Sequence, residues 1–275
     1  MPTWYAMGWE GTTMSEHRTH PFEGEKLSYE QGLKFWDDYS EQYSGFQQGD
    51  IPRRIVRHLL NHGIMNPEDS VLEIGSGPGT YSLEIAPLVS RITCLDTSPR
   101  MLERLRRSAE KMGLDNMDLK VQDWNEFSSQ KEYDVAIATL CPGSGTPESI
   151  CRMESASRNS CVLVSWLENH GDDLNASIWN ELGREYGYGF RKSTAVQDWL
   201  RENDRNPTVE FFETTVVSDI PLEAVVAKER SAFRTYGLEK EAEEITRRLL
   251  EPEVDNGVWH YEATNSMKLI YWESR

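Results

Sequence analysis

A mixed α/β fold with a mostly parallel sheet is the architecture this sequence predicts. Three observations carry it. Five short runs of strand composition lie between residues 70 and 166. Helical segments stand between the first and second runs and between the second and third, which is the pattern of βαβ units. A glycine-rich turn leaves the first strand and enters the helix behind it.

Taken in order, the first 25 residues mix Trp4, Trp9 and glycine with polar residues and show no period. Over 28–43 the spacing of Leu33, Trp36, Tyr39 and Tyr43 places four large side chains on one helical face. A second helix is expected over 51–60, with Pro52 in its first turn and Gly63 after its end. The five strands are expected at 70–74, 91–96, 118–122, 133–140 and 160–166, with helices over 81–89 and 99–112, the latter closed by Gly113. Beyond Trp166, helical patterns cover 176–186, 194–202, 222–233 and 239–250, and strand composition returns at 208–217 and 265–272. With no internal repeat and no low-complexity linker, a second independent domain is not expected. The division that follows is an N-terminal arm and helix over 1–50 and a main domain over 51–275, with a helical insertion over about 221–255.

Composition narrows the function. Hydrophobic residues are 38% and charged residues 27% of the 275, a folded rather than a disordered balance. Lys and Arg number 29 against 46 Asp and Glu, a net charge of −17. A field of that sign repels phosphate backbones, so nucleic acid is not the expected partner. The basic clusters at Arg53, Arg54 and Arg57, and at Arg104, Arg106 and Arg107, have acidic neighbours on the same segments and read as solvated helix faces. No apolar run approaches the ~20 residues of a membrane span. The four cysteines (Cys94, Cys141, Cys151, Cys161) form no CxxC pair and no zinc-ligand spacing, which fits a reduced, cytoplasmic protein with no metal.

The stretch that carries chemistry is Glu73-Ile74-Gly75-Ser76-Gly77-Pro78-Gly79-Thr80. It departs from a dinucleotide fingerprint, because Thr80 stands where the third glycine of G-x-G-x-x-G belongs, and it lacks the GK[ST] of a phosphate loop. Asp96 and Asp123 fall at the carboxyl ends of the second and third expected strands, the edge where open α/β sheets bind ligands. A carboxylate there can accept both hydroxyls of a diol in charge-assisted bonds. The plainer alternatives are a helix N-cap for Asp96, ahead of Pro99, and a turn residue for Asp123.

On these residues the chain resembles the class I, Rossmann-like S-adenosylmethionine-dependent methyltransferases. Glu73–Gly79 matches their first motif, Asp96 the acidic residue that receives the ribose hydroxyls, and Asp123-Trp124 the pair that holds the adenine. The helix carrying Trp36, Asp37, Asp38, Tyr39 and Tyr43 is similar to the N-terminal helix that many small-molecule members fold over the cofactor as a lid. The resemblance implies a seven-stranded sheet whose last strand is antiparallel, with S-adenosyl-L-methionine as cofactor. It implies cofactor contacts from Tyr43, Glu73, Gly75, Ser76, Gly77, Gly79, Thr80, Asp96, Thr97, Met101, Asp123, Trp124 and Leu140.

The acceptor is less legible. No N/D-P-P-Y/F motif follows the fourth strand, where Leu140-Cys141-Pro142-Gly143 stands instead; this counts against exocyclic base amines and glutamine amides. After the fifth strand, His170 is a candidate general base, with an exposed loop histidine as the alternative. Glu168, Asp172 and Asp173 read either as a cation-binding group or as a solvated loop, and Tyr186, Tyr188 and Phe190 as pocket walls or core. The expectation is methyl transfer to an oxygen, sulfur or nitrogen of a small molecule. The alternatives are an RNA or protein methyltransferase, or a catalytically silent cofactor-binding subunit.

Overall fold

The computed structural model describes residues 28–44, 46–169, 173–184 and 190–275. Helix α1 (Tyr29–Tyr39) opens on a capping box: Ser28 accepts from the Gln31 backbone and the Gln31 side chain accepts from Ser28. After a single 3₁₀ turn (Phe46–Gln48) and α2 (Ile51–Asn61), the chain alternates strands and helices: β1 (Ser70–Ile74), α3 (Ser82–Ile85), β2 (Arg91–Asp96), α4 (Pro99–Met112), β3 (Met117–Val121), β4 (Tyr133–Thr139), α5 (Pro147–Ala156) and β5 (Ser157–Asn169). Then come α6 (Asp173–Glu181), α7 (Phe190–Glu202), β6 (Thr208–Pro221), α8 (Leu222–Arg234), α9 (Glu239–Leu250), β7 (Val254–Asp255) and β8 (Val258–Glu273).

The strands form one sheet in the order β3-β2-β1-β4-β5-β8-β6, with β7 paired to β8. Neighbours from β3 to β5 are parallel, and β8 runs antiparallel to both β5 and β6. The expected order of directions is therefore present, with one strand more than seven. The addition is β7, which turns into β8 through Asn256 and Gly257, both at positive φ, the conformation a two-residue hairpin requires. β8 also begins seven residues before the expected 265, because exposed His260 and Glu262 interrupt its apolar pattern. Helix α5 was not foreseen, although Thr146 caps it by accepting from Ser149 N at 3.1 Å and Pro147 stands at its first position.

Strand alternation divides the core into two layers. Val71, Ile92, Val135, Val162 and Leu269 pack under α2, α3 and α4 through Ile55, Leu59, Ile85 and Leu105. Leu72, Leu95, Ala136, Leu163 and Ile270 pack under α5 and α7 through Ile150, Met153, Val196 and Leu200. A third cluster joins α6, α8 and α9 around Trp179 and Phe233, with Tyr39 of α1 against it. Among the described residues no helix is long and apolar enough to cross a membrane. This arrangement leaves the carboxyl ends of β1 to β4 facing one cleft beneath α1.

Candidate active site

The turn after β1 is tied to the end of β2. Ser76 N donates to Leu95 O at 2.9 Å and Gly77 N to the Asp96 carboxylate at 2.8 Å. Two of its glycines are demanded by close approach as well as by positive φ. A Cβ on Gly75 would stand 2.6 Å from Cys141 Sγ, and one on Gly79 would stand 2.3 Å from Leu105 Cδ1 of α4. The turn thus presents backbone to the cleft while α4 packs against its underside.

Glu73 lies beneath this turn, fully buried. It accepts from Ser82 Oγ and, at 3.0 Å, from Thr139 Oγ1. Burial pushes its carboxyl up to about 7; the two hydroxyl bonds only partly oppose that. Asp96 accepts from Ser98 N at 2.8 Å as well as from Gly77 N, and burial raises its carboxyl too. It is not the cap of α4: Ser98 is, through its Oγ and Met101 N at 3.1 Å. At the end of β3, Asp123 accepts from Asn125 N at 2.8 Å and from the phenol of Tyr29 in α1. Burial, with the Asp123 carboxylate beside it, raises the Tyr29 hydroxyl well above its ordinary value. Trp124 is fixed from below, its indole N–H donating to Ser149 Oγ of α5 at 2.7 Å.

Helix α1 is fastened over the cleft at three points. Tyr29 holds its start. Asp37 accepts from Ser98 Oγ at 2.9 Å and pairs with Arg100 at 3.2 Å. Arg104 donates to the carbonyls of Tyr43, at 2.9 Å, and Ser40. Arg104 is therefore a clasp on the segment that follows α1 and not part of a solvated face, a correction to the sequence expectation; Arg106 and Arg107 do pair with Glu103 and Glu110 in solvent. Its role was hidden because both acceptors are backbone atoms more than 60 residues away.

The cleft, with its open mouth, holds about 930 Å³. Of the sequence-predicted residues, Tyr43, Gly75, Ser76, Gly77, Thr80 and Asp96 line it, as do Thr97, Met101, Asp123, Trp124 and Leu140. Glu73 and Gly79 do not. In β1 every residue is buried, so alternation offers no contrast from which the direction of Glu73 could be read. Sequence reasoning missed Gln48, Gln122 and Asn125 in the lining and Tyr29 at its edge. His170, Asp172, Tyr186 and Tyr188 lie outside the described residues. Two further cleft groups stay protonated at neutral pH: the Tyr43 phenol and the Cys141 thiol are each pushed up to about 12, chiefly by burial.

Residues 71–153 match the sequence family described as a methyltransferase domain. Over that segment the chain carries the sequence pattern of a methyltransferase domain. The domain is similar to EEF1A lysine methyltransferase 2 of Homo sapiens, 35% identical over 124 residues that make up 44% of this chain and 50% of that protein. It is also similar to the 23S rRNA (uracil(1939)-C(5))-methyltransferase RlmD of Chromohalobacter salexigens, 31% identical over 105 residues, 38% of this chain and 22% of that one. The chain thus spans half or less of the length of these two relatives. In fold it resembles a candidate methyltransferase from Bacillus halodurans, with a TM-score of 0.51 at 14% identity over 80% of this chain and 98% of the other. It likewise resembles the YcgJ protein of Bacillus subtilis, with a TM-score of 0.50 at 13% identity over 81% and 98%.

Proposed function

We propose that the chain is a methyltransferase that binds S-adenosyl-L-methionine in the cleft beneath α1 and passes its methyl group to a small-molecule oxygen, sulfur or nitrogen. The observation that carries the reading is the pair of carboxylates, Asp96 and Asp123, at the ends of adjacent strands in a cleft whose floor is the glycine turn.

The residues present fit such a cofactor. Each carboxylate oxygen has two acceptor sites. Asp96 accepts from the backbone N–H groups of Gly77 and Ser98, one on each oxygen, and from that of Thr97, which leaves acceptor capacity for a ribose hydroxyl. Ser76 Oγ, in the glycine turn, is buried without a partner. When bound, S-adenosylmethionine supplies a methyl carbon on a positive sulfur, open to in-line attack.

The protein's part is then to align and to exclude water. Trp36 and Tyr43, whose ring centroids lie 6.4 Å apart, close the cleft from the α1 side. Protonated Tyr43 and Cys141 take no proton from an acceptor at neutral pH. An acceptor that must lose a proton would therefore depend on another group, for which His170 is the sequence candidate.

One observation favours a second acceptor class. The human relative carries a lysine methyltransferase name, and a chain of net charge −17 attracts a cationic amine. Calorimetry with S-adenosylmethionine, S-adenosylhomocysteine and NAD tests the cofactor: heat with the first two and none with NAD is expected, and the reverse overturns the reading. Incubation with labelled cofactor and a size-fractionated cell extract tests the acceptor. Label in the small-molecule fraction is expected, and label confined to protein or RNA replaces that acceptor class.

A further inference from the structure

The sheet ends on β6, whose outer edge pairs with no strand among the described residues. Its 14 residues pair with β8 at every position from Thr208 to Pro221, without a register shift. Natural sheets blunt a free edge with lysine, an internal proline, a bulge or a very short strand. β6 has none of these: it holds no lysine, arginine or glycine, and its proline is its last residue. Arg54 of α2 donates to Glu213 O at 2.7 Å, which takes one of that oxygen's two acceptor places and leaves the other.

The side chains of β6 alternate between two faces. Phe212 packs towards α2, with the Arg54 guanidinium 5.6 Å over its ring, and Thr214 and Val216 stand against Gly49. Phe211, Glu213, Thr215, Val217 and Asp219 face solvent. Phe211 and Val217 are 62% and 57% exposed; with Val121 they are the most exposed large apolar side chains among the described residues. The strand is also self-complementary. Laid antiparallel on a second copy about a two-fold axis at Thr214, it sets Phe211 opposite Val217 and Phe212 opposite Val216, each pair made twice. Glu213 then meets Thr215 and Glu210 meets Ser218, hydroxyls that can donate to a carboxylate, while Asp219 meets Val209. No two carboxylates stand opposite each other, which matters for two chains of net charge −17.

We propose that the outer edge of β6 is the interface between two copies of this chain, joined antiparallel about Thr214 into one continuous sheet. The occupant is a second copy because the matching halves, two apolar residues before the polar centre and two after it, lie in the same strand. Such an interface is isologous, so it closes at two chains and offers no further edge of this kind. The cleft lies at the ends of β1 to β4, beyond β8 and β5, and each copy keeps its own. The proposal is independent of which cofactor the cleft binds.

Sedimentation velocity on the full chain tests it. The wild type should sediment at twice the chain mass, and its dissociation constant should fall as salt rises from about 0.05 M to about 0.5 M, because the two like-charged chains are screened. Phe211→Lys and Val217→Glu each change an exposed side chain, so the melting temperature of the dilute monomer should hold. Either one should raise the dissociation constant about ten-fold or more, since symmetry applies the change twice. The double variant Phe211→Lys with Val217→Glu places opposite charges at the paired positions and should recover most of the lost affinity. A wild-type monomer across the whole salt range overturns the proposal and leaves the edge to a strand of another protein. A dimer that neither single variant weakens, or that the double variant fails to recover, puts the contact elsewhere and overturns it as well.

Discussion

Replacing Glu73 with Gln tests the electrostatics beneath the glycine turn without touching the cleft. Glu73 is fully buried, and its carboxyl is raised from an ordinary 4.5 to about 7. The folded state therefore holds this proton more tightly than the unfolded chain does. Its contribution is fully present below the unfolded value and is lost as pH rises through about 7. A shift of that size, at about 1.4 kcal/mol per unit, corresponds to roughly 3 kcal/mol lost between pH 4.5 and pH 8. Glutamine is isosteric and uncharged; it accepts from one hydroxyl, and the other can rotate to accept from its NH₂. At pH 5 the variant should match the wild type within about 1 kcal/mol, and at pH 8 it should be the more stable by about 2–3 kcal/mol. Urea unfolding of the ligand-free protein at pH 5, 6, 7 and 8 reads this directly, provided the m-value stays constant. Other titrating groups act on both proteins and cancel in the difference. A stability difference that does not change between pH 5 and pH 8, or one that favours the wild type more as pH rises, refutes the reasoning.

Asp96→Ala should reduce cofactor affinity about ten-fold to a thousand-fold. It should also cost about 1–3 kcal/mol of stability, because Gly77 N and Ser98 N lose their acceptor; calorimetry and melting curves read the two effects separately. Asp123→Asn keeps one acceptor oxygen and should cost affinity no more than about ten-fold in the same titration. Arg104→Ala frees the carbonyls of Ser40 and Tyr43, so cofactor dissociation measured by stopped flow should quicken several-fold while the melting temperature barely moves; unchanged dissociation makes the clasp irrelevant to binding. Gly79→Ala forces a Cβ to within 2.3 Å of Leu105 at a φ of +96° and should destabilise by about 2 kcal/mol or more in urea titrations. Gly77→Ala meets no atom within 4 Å and should cost about half as much, from backbone strain alone.

The sequence by itself determined the order of strands and helices from β1 to β4, the strand β5 without the helix α5 before it, and the residues at the strand ends. Those signals are local: apolar runs bounded by turn residues, a glycine turn, and carboxylates just where a strand stops. It misjudged the reach of β8, since exposed His260 and Glu262 break the apolar run although the backbone continues to pair with β6. Only tertiary structure decided which way Glu73 points, because a strand buried on both faces has no polar side to mark its orientation. It decided the clasp of Arg104 and the bond from Tyr29 to Asp123, which join residues 61 to 94 positions apart. It also decided that Gln48 enters the cleft. A glutamine between two helices carries no periodicity and no motif; its burial at the cleft is set by β6 and β8, more than 150 residues further along the chain.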